Sequence, residues 1–250
     1  LTAMSNSTDV SCNGGDDGTA EINSISGGVP PYSTDWFGAD TNNLSAGSYS
    51  YNISDDNGCL TSGSVSINQP NPLTAISSNT DVSCNGGSNG TAEINSISGG
   101  VPPYSTDWFG ADTNNLNAGS YSYSVSDNNG CSTSGTVSIN QPNPLTAISS
   151  STDVSCNGGN DGTAEIFSIS GGVTPYSTDW FGADTNNLSA GSYSYNVSDN
   201  NGCLTSGSVS INQPNPLNVT LTSSSNITDC LNPNGSIDID VTGGNGNYIY

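Results

Sequence analysis

Apolar residues fall at every second position in short runs along this chain, and turn residues break each run before it lengthens. Tyr32, Thr34 and Trp36 share one side of such a run, Tyr49, Tyr51 and Ile53 share one side of another, and Val65 and Ile67 continue the theme. Alternation with period two places successive side chains on opposite faces of a strand, so each run predicts a half-buried β-strand. The pattern predicts strands near residues 1–4, 8–12, 19–25, 32–37, 48–54 and 62–68. Between them stand Asn13-Gly14-Gly15-Asp16-Asp17-Gly18, Gly27-Gly28-Val29-Pro30-Pro31, Gly38-Ala39-Asp40 and Asp55-Asp56-Asn57-Gly58. Gly and Asn in these segments tolerate positive φ, and Pro presets φ for a turn. No stretch sustains a period of 3.6, and no apolar run is long enough to span a bilayer as a helix. Short strands at regular spacing predict an all-β sandwich or barrel.

The same pattern restarts at Leu1, Leu73, Leu145 and Leu217, a period of 72 residues. The expected domains are 1–72, 73–144 and 145–216, with a diverged and incomplete fourth copy at 217–250. A domain of this size buries only about 60% of the surface its unfolded chain exposes and usually needs a covalent staple. Each complete copy carries two cysteines, Cys12 with Cys59, Cys84 with Cys131, and Cys156 with Cys203. Pairing within each copy is the simplest connectivity, although spacing alone leaves it open. Such a bridge stabilises by about 4 kcal/mol on the chain-entropy argument. Cys230, the seventh cysteine, then has its partner outside the chain. The spacing lacks the C-x-x-C and His ligands of a zinc site, and disulfides imply an oxidising compartment.

Leu44-Ser45-Ala46-Gly47-Ser48-Tyr49 has the form of a tyrosine corner, in which a Tyr hydroxyl bonds the backbone at the entry to a late strand. Trp36 is expected in the core beside a Cys12–Cys59 bridge, while Phe37 points to the other side and is open to a sugar-stacking role. Copies join through Asn68-Gln69-Pro70-Asn71-Pro72, a short, glycine-free linker with two prolines. Prolines make it semi-rigid, which predicts domains stacked end to end as an extended rod.

Charge narrows the function. The chain has 22 acidic residues and no Lys, Arg or His. Nucleic acid is excluded as a partner because phosphate binding rests on Lys and Arg, and attraction to anionic headgroups fails for the same reason. No direct membrane insertion is expected, and trypsin-like proteases have nothing to cut. Catalysis is not expected either: a nucleophile needs a neighbouring base, and no His or Lys is present. The carboxylate pairs Asp16-Asp17 and Asp55-Asp56 become Ser88-Asn89 and Asp127-Asn128 in the second copy, which argues against an acid–base site. No cofactor is expected. Calcium is the one metal with candidates: Asp35, Asp40 and Asp55, recurring as Asp107, Asp112, Asp127 and Asp179, Asp184, Asp199, offer oxygen ligands near Asn-rich turns. No D-x-D-x-D-G loop holds them, and bonding to nearby backbone is the alternative. Glu21, Glu93, Glu165 and Asp238 are expected as outward solubilising charges, and the N-x-S/T triplets carry no glycosylation reading in so Asn- and Ser-rich a chain.

The runs Val10-Ser11-Cys12-Asn13-Gly14-Gly15, Asp17-Gly18-Thr19-Ala20, Gly27-Gly28-Val29-Pro30-Pro31-Tyr32, Leu44-Ser45-Ala46-Gly47-Ser48-Tyr49 and Asp55-Asp56-Asn57-Gly58-Cys59, with Trp36 between, resemble the SprB repeat. The later half also resembles PKD and immunoglobulin-like (Ig-like) modules. The fourth copy departs from the pattern, with Leu231-Asn232-Pro233-Asn234 in place of Asn-Gly-Gly. The resemblance implies a large extracellular cell-surface adhesin of gliding bacteria, exported by type IX secretion, and tandem Ig-like/PKD-like β-sandwich domains. Leu1 is not preceded by a visible signal peptide, and both ends read as cuts in a longer chain. The leading expectation is a stalk or filament segment whose partners are its neighbouring copies. The alternatives are an array of weak polysaccharide-binding modules acting by avidity, with Phe37, Phe109 and Phe181 as contacts, and a self-assembling sheath or surface layer.

Overall fold

Copy 1 folds as five strands, β1 (Thr2–Thr8), β2 (Thr19–Ser26), β3 (Ser33–Asp35), β4 (Gly47–Ser54) and β5 (Leu60–Ile67). Strands β1 and β2 pair antiparallel as one sheet, and β3-β4-β5 form a second antiparallel sheet. The set recurs as β6 (Thr74–Thr80), β7 (Thr91–Ser98), β8 (Ser105–Asp107), β9 (Gly119–Ser126) and β10 (Ser132–Ile139). It recurs again as β11 (Thr146–Thr152), β12 (Thr163–Ser170), β13 (Ser177–Asp179), β14 (Gly191–Ser198) and β15 (Leu204–Ile211). Copy 4 contributes β16 (Asn218–Ser225) paired with β17 (Ser236–Thr242). The structure, a computed structural model, describes residues 1–249; it is all-β, a series of small β-sandwiches at a 72-residue repeat.

Alternation decides what lies between the sheets. Tyr51 and Ile53 on β4 and Val65 and Ile67 on β5 are buried, with Val10, Ala20 and Leu44 completing the core. Strand β2 carries Ala20, Ile22 and Ile25 on the inner side, a one-residue break in its period. The register explains it: Met4 pairs with Ser24 but Ser5 pairs with Ile22, so Asn23 bulges out. A bulge of this kind resets which face a strand presents. The outward positions are mostly Ser, Thr and Asn, with single exposed apolar residues such as Met4, Leu60 and Phe167 among them, and Glu21, Glu93, Glu165 and Asp238 are all exposed as expected.

Sequence alternation predicts separate strands at 1–4 and 8–12. The chain instead runs as the single strand β1 to Thr8 and then leaves the sheet. Asp9 causes the exit: its carboxylate accepts the backbone N–H of Asn68 at 2.7 Å, and Val10 N–H donates to Asn68 O at 3.1 Å. These bonds fasten the end of β1 to the end of β5, and Val10 turns inward to 3% exposure. The tyrosine corner is present in each complete copy. Tyr49 donates to Ser45 O, Tyr121 to Asn117 O and Tyr193 to Ser189 O, at 3.0 to 3.1 Å.

The chain divides into two compact units. One is Leu1–Val82 with Ser88–Asn140, and the other is Ser83–Gly87 with the chain from Gln141 onward. The Ser83–Gly87 loop of copy 2 therefore belongs with copy 3.

Candidate functional site

The chemistry of this chain gathers where one copy meets the next. In the first unit, the loop after β1 of copy 1 rests on the linker: Asn13 Nδ2 donates to Pro70 O at 3.0 Å, and Gln69 Oε1 accepts Gly14 N–H at 2.8 Å. Gly14 has φ +77°, where a side chain would be strained. Asp17 holds the other end of the loop, accepting Ser11 N–H at 2.9 Å and the Ser11 hydroxyl. These bonds, the hydroxyl first, lower the Asp17 pKa below its ordinary value. Copy 2 presents the turn after β9, where Asn129 Nδ2 donates to Ser11 O at 2.9 Å.

Cys12 is bonded to Cys131, with Cα atoms 5.6 Å apart and a sequence separation of 119. In the second unit Cys84 is bonded to Cys203 with the same separation. Asn201 Nδ2 donates there to Ser83 O at 2.9 Å, Asn85 Nδ2 to Pro142 O, and Gly86 N–H to Gln141 Oε1. Two joints thus repeat one set of bonds, and each disulfide links consecutive copies.

This corrects the within-copy pairing. None of the pairs 12–59, 84–131 and 156–203 forms, and Cys59, Cys156 and Cys230 carry free, exposed thiols. The reason is distance along the sandwich. Cys59 immediately precedes β5, while Cys12 lies beside the linker that follows β5. At about 3.3 Å per residue the strand puts some 26 Å between its ends, and a disulfide needs Cα atoms within about 7 Å. Trp36 therefore does not pack beside a Cys12–Cys59 bridge. It tilts against Tyr51, as do Trp108 on Tyr123 and Trp180 on Tyr195, with ring centroids 5.0 to 5.1 Å apart.

The calcium candidates fall in three separate turns. Asp35 accepts Phe37 N–H at 2.8 Å. Asp40 accepts Asn43 Nδ2 and Asn42 N–H, and these bonds lower its pKa. Asp55 is 6% exposed, and its carboxylate accepts Val29 N–H at 3.0 Å and Cys59 N–H at 2.8 Å. The Val29 bond, then the Cys59 bond, lowers the Asp55 pKa. Each carboxylate closes its own turn, and Asp107, Asp112, Asp127, Asp179, Asp184 and Asp199 repeat these roles. Among the described residues no three His, Cys, Asp or Glu side chains are grouped to hold a metal.

Phe37 sits at the other notable position. The turn Trp36-Phe37-Gly38-Ala39 is closed by Ala39 N–H donating to Trp36 O. Phe37 has φ +57° and Gly38 φ +83°, as in a type I′ turn. Phe37, Phe109 and Phe181 all take this left-handed conformation while 61% to 65% exposed.

Sequence reasoning placed Gln69 in the linker without its bond to the loop, and missed the joint roles of Asn129, Asn201 and Gln141. Their only signal is recurrence at 72 residues beside Gly and Pro, which every other turn residue shares.

Comparison with known proteins agrees with the repeat. The SprB repeat matches residues 4–41, 76–113, 148–185 and 221–250, more than half of the chain. No curated protein sequence is significantly similar. Among solved structures, the Bacteroides ovatus mixed-linkage glucan utilization locus protein SGBP-B, in complex with a mixed-linkage heptasaccharide, matches at 15% identity. It covers 93% of this chain and 68% of that one, with a TM-score of 0.15, too low to argue a shared arrangement. With four matches, the first three spaced by 72 residues, that together span more than half of its length, the chain belongs to the SprB-repeat family.

Proposed function

We propose that the chain is a structural segment, a stalk, of an extracellular cell-surface adhesin, and that it carries load rather than performing catalysis. The observation behind this reading is the pair of disulfides that tie copy 1 to copy 2 and copy 2 to copy 3. A bridge placed for folding stability alone would serve within a copy. A bridge between copies adds a second covalent connection beside the linker. At about 3.5 Å per residue, one closed ring of 119 residues withholds about 400 Å of chain from extension. An attachment in gliding motility, and export by type IX secretion, extend this reading by family resemblance.

Single-molecule pulling of the oxidised and the reduced chain tests it. The oxidised chain is expected to reach a contour length shorter by hundreds of ångströms, recovered on reduction. Equal extension in both states would sink the load-bearing role.

The exposed phenylalanines favour a second reading, in which each copy contacts a neutral polysaccharide through Phe37, Phe109 or Phe181. A bulky residue in the left-handed region costs about 1–3 kcal/mol, and Asn or Gly would make the turn without it. Affinity electrophoresis in neutral glycan gels should show retardation that is lost when all three are replaced by Asn. Unretarded migration of the wild-type chain would reject it.

A further inference from the structure

We propose that copy 1 presents a preformed docking face, centred on Asn57 and Cys59, for the Ser-Cys-Asn-Gly-Gly loop of a further SprB module held to it through the same kind of linker. In copies 2 and 3 the equivalent residues are engaged. Asn129 donates to Ser11 O and Cys131 is bonded to Cys12; Asn201 donates to Ser83 O and Cys203 is bonded to Cys84. In copy 1 the turn is built in the same way. Gly58 N–H donates to Asp55 O as Gly130 does to Asp127 O and Gly202 to Asp199 O. The Asp55 carboxylate holds Cys59 N–H at 2.8 Å, as Asp127 and Asp199 hold Cys131 and Cys203 at 2.9 Å. Only the occupant differs, and Asn57 and Cys59 are exposed.

The joints also say which module fits. A cleft of about 310 Å³ is lined by Cys12, Asn13, Asn71, Pro72 and Cys131, so the bridge lies directly beside the linker. Asn71 O accepts Gly100 N–H at 2.8 Å, binding the linker to the copy that receives the loop. A loop held this way comes from the module that the linker joins, not from a separate chain. The bond forms by oxidation of two thiols: Cys59 Sγ and the loop cysteine Sγ lose two protons and two electrons to a disulfide oxidant, itself reduced to two thiols. The inference deepens the stalk reading without standing on it, since copies 1 to 3 are bridged whether or not copy 1 docks anything.

The test fuses one further copy, with the sequence of residues 145–216, before Leu1 and refolds the chain with reduced and oxidised glutathione. Non-reducing peptide mapping should find the first cysteine of the added copy bonded to Cys59. Iodoacetamide labelling of Cys59 should fall at least tenfold relative to the unextended chain, while Cys156 and Cys230 label as before. A second variant replaces the first cysteine of the added copy by Ser. Docking without the bond should still slow Cys59 labelling several-fold, and Asn57→Ala in that background should restore it. Unchanged labelling of Cys59 in both variants overturns the docking face, and so does Cys59 bonded to Cys156 of a second molecule. Either result leaves the stalk reading to the pulling experiment.

Discussion

Tyr51 on β4 lies across Gly63, its partner on β5, so closely that a Cβ on Gly63 would sit 2.5 Å from Tyr51 Cζ. The glycine is the floor on which the ring rests, and Trp36 tilts against the same ring. Tyr123 over Gly135 and Tyr195 over Gly207 repeat the arrangement. Gly63→Ala should therefore overpack the core and lower stability by about 1–3 kcal/mol, read from urea unfolding. Combining it with Tyr51→Leu should recover part of that loss, because the clash partner is gone. A loss unchanged in the double variant would place the cost in the backbone instead.

Asp55 gives a pH signature. Its folded pKa lies below its unfolded value near 3.8 because Val29 N–H and then Cys59 N–H donate to the carboxylate. A depressed pKa stabilises the fold above the unfolded pKa, and that stability is lost as pH falls through the folded one. Protonating the other acids also relieves the repulsion of a net charge of −22, which raises stability in the same range. The difference between wild type and Asp55→Asn removes that background. The variant should melt lower at pH 7, since an amide NH₂ faces an N–H donor, and the gap should narrow below about pH 4. A constant gap down to pH 2 would mean the charge on Asp55 contributes nothing.

The strands, the 72-residue period and the tyrosine corner are legible because each is a local pattern. The alternation of Tyr49, Tyr51 and Ile53 fixes a face whatever lies elsewhere, and Ser45 lies four residues from the Tyr49 that bonds it. Cysteine pairing is not local, and in a periodic chain spacing is defined only up to the period. A spacing of 47 within a copy and one of 119 between copies differ by a single repeat, so the sequence offers both. Strand length decides between them, and it appears only once Cys12 and Cys59 are seen at opposite ends of β5. The merged β1 escapes for a similar reason. The alternation at Thr8, Val10 and Cys12 continues past the point where Asp9 binds Asn68 and takes the chain out of the sheet. Asp55 looks like any turn acid until its burial is seen.

The connectivity itself makes a prediction about rerouting. Cys84→Ser should leave Cys203 as a free thiol, because Cys131 is already bonded to Cys12 and Cys156 lies at the far end of its own sandwich. Non-reducing mapping should show Cys12–Cys131 intact and no Cys156–Cys203 bond. Stability should fall by up to about 5 kcal/mol for a ring of this size on the chain-entropy argument. Recovery of a Cys156–Cys203 bridge would return the within-copy arrangement.

Phe37 separates fold from contact. Asn is far more at ease than Phe in the left-handed region, and a side chain 62% exposed contributes little packing. Phe37→Asn should thus raise stability by about 1 kcal/mol, as should Phe109→Asn and Phe181→Asn. Thermal unfolding of each single variant measures it. A lower melting temperature would mean that the ring packs on its neighbours in solution and is a structural residue.

Chelation is the last test, and the turn acids set its expected result. Calcium takes six to eight oxygen ligands, but Asp35, Asp40 and Asp55 each spend carboxylate oxygens on backbone or amide N–H groups of their own turns. Gathering them round one ion would break the bond that holds Phe37 N–H and open the turn between Asp55 and Cys59. Adding calcium and then a chelator to residues 1–216 should therefore leave the maximum dimension from small-angle X-ray scattering unchanged. Asp55→Asn should not make that dimension calcium-sensitive either. A dimension that shrinks on chelation would require an ion bound through oxygens other than these, with the Asn-rich linkers as the first place to look, and it would make the spacing of the copies depend on calcium rather than on prolines and disulfides.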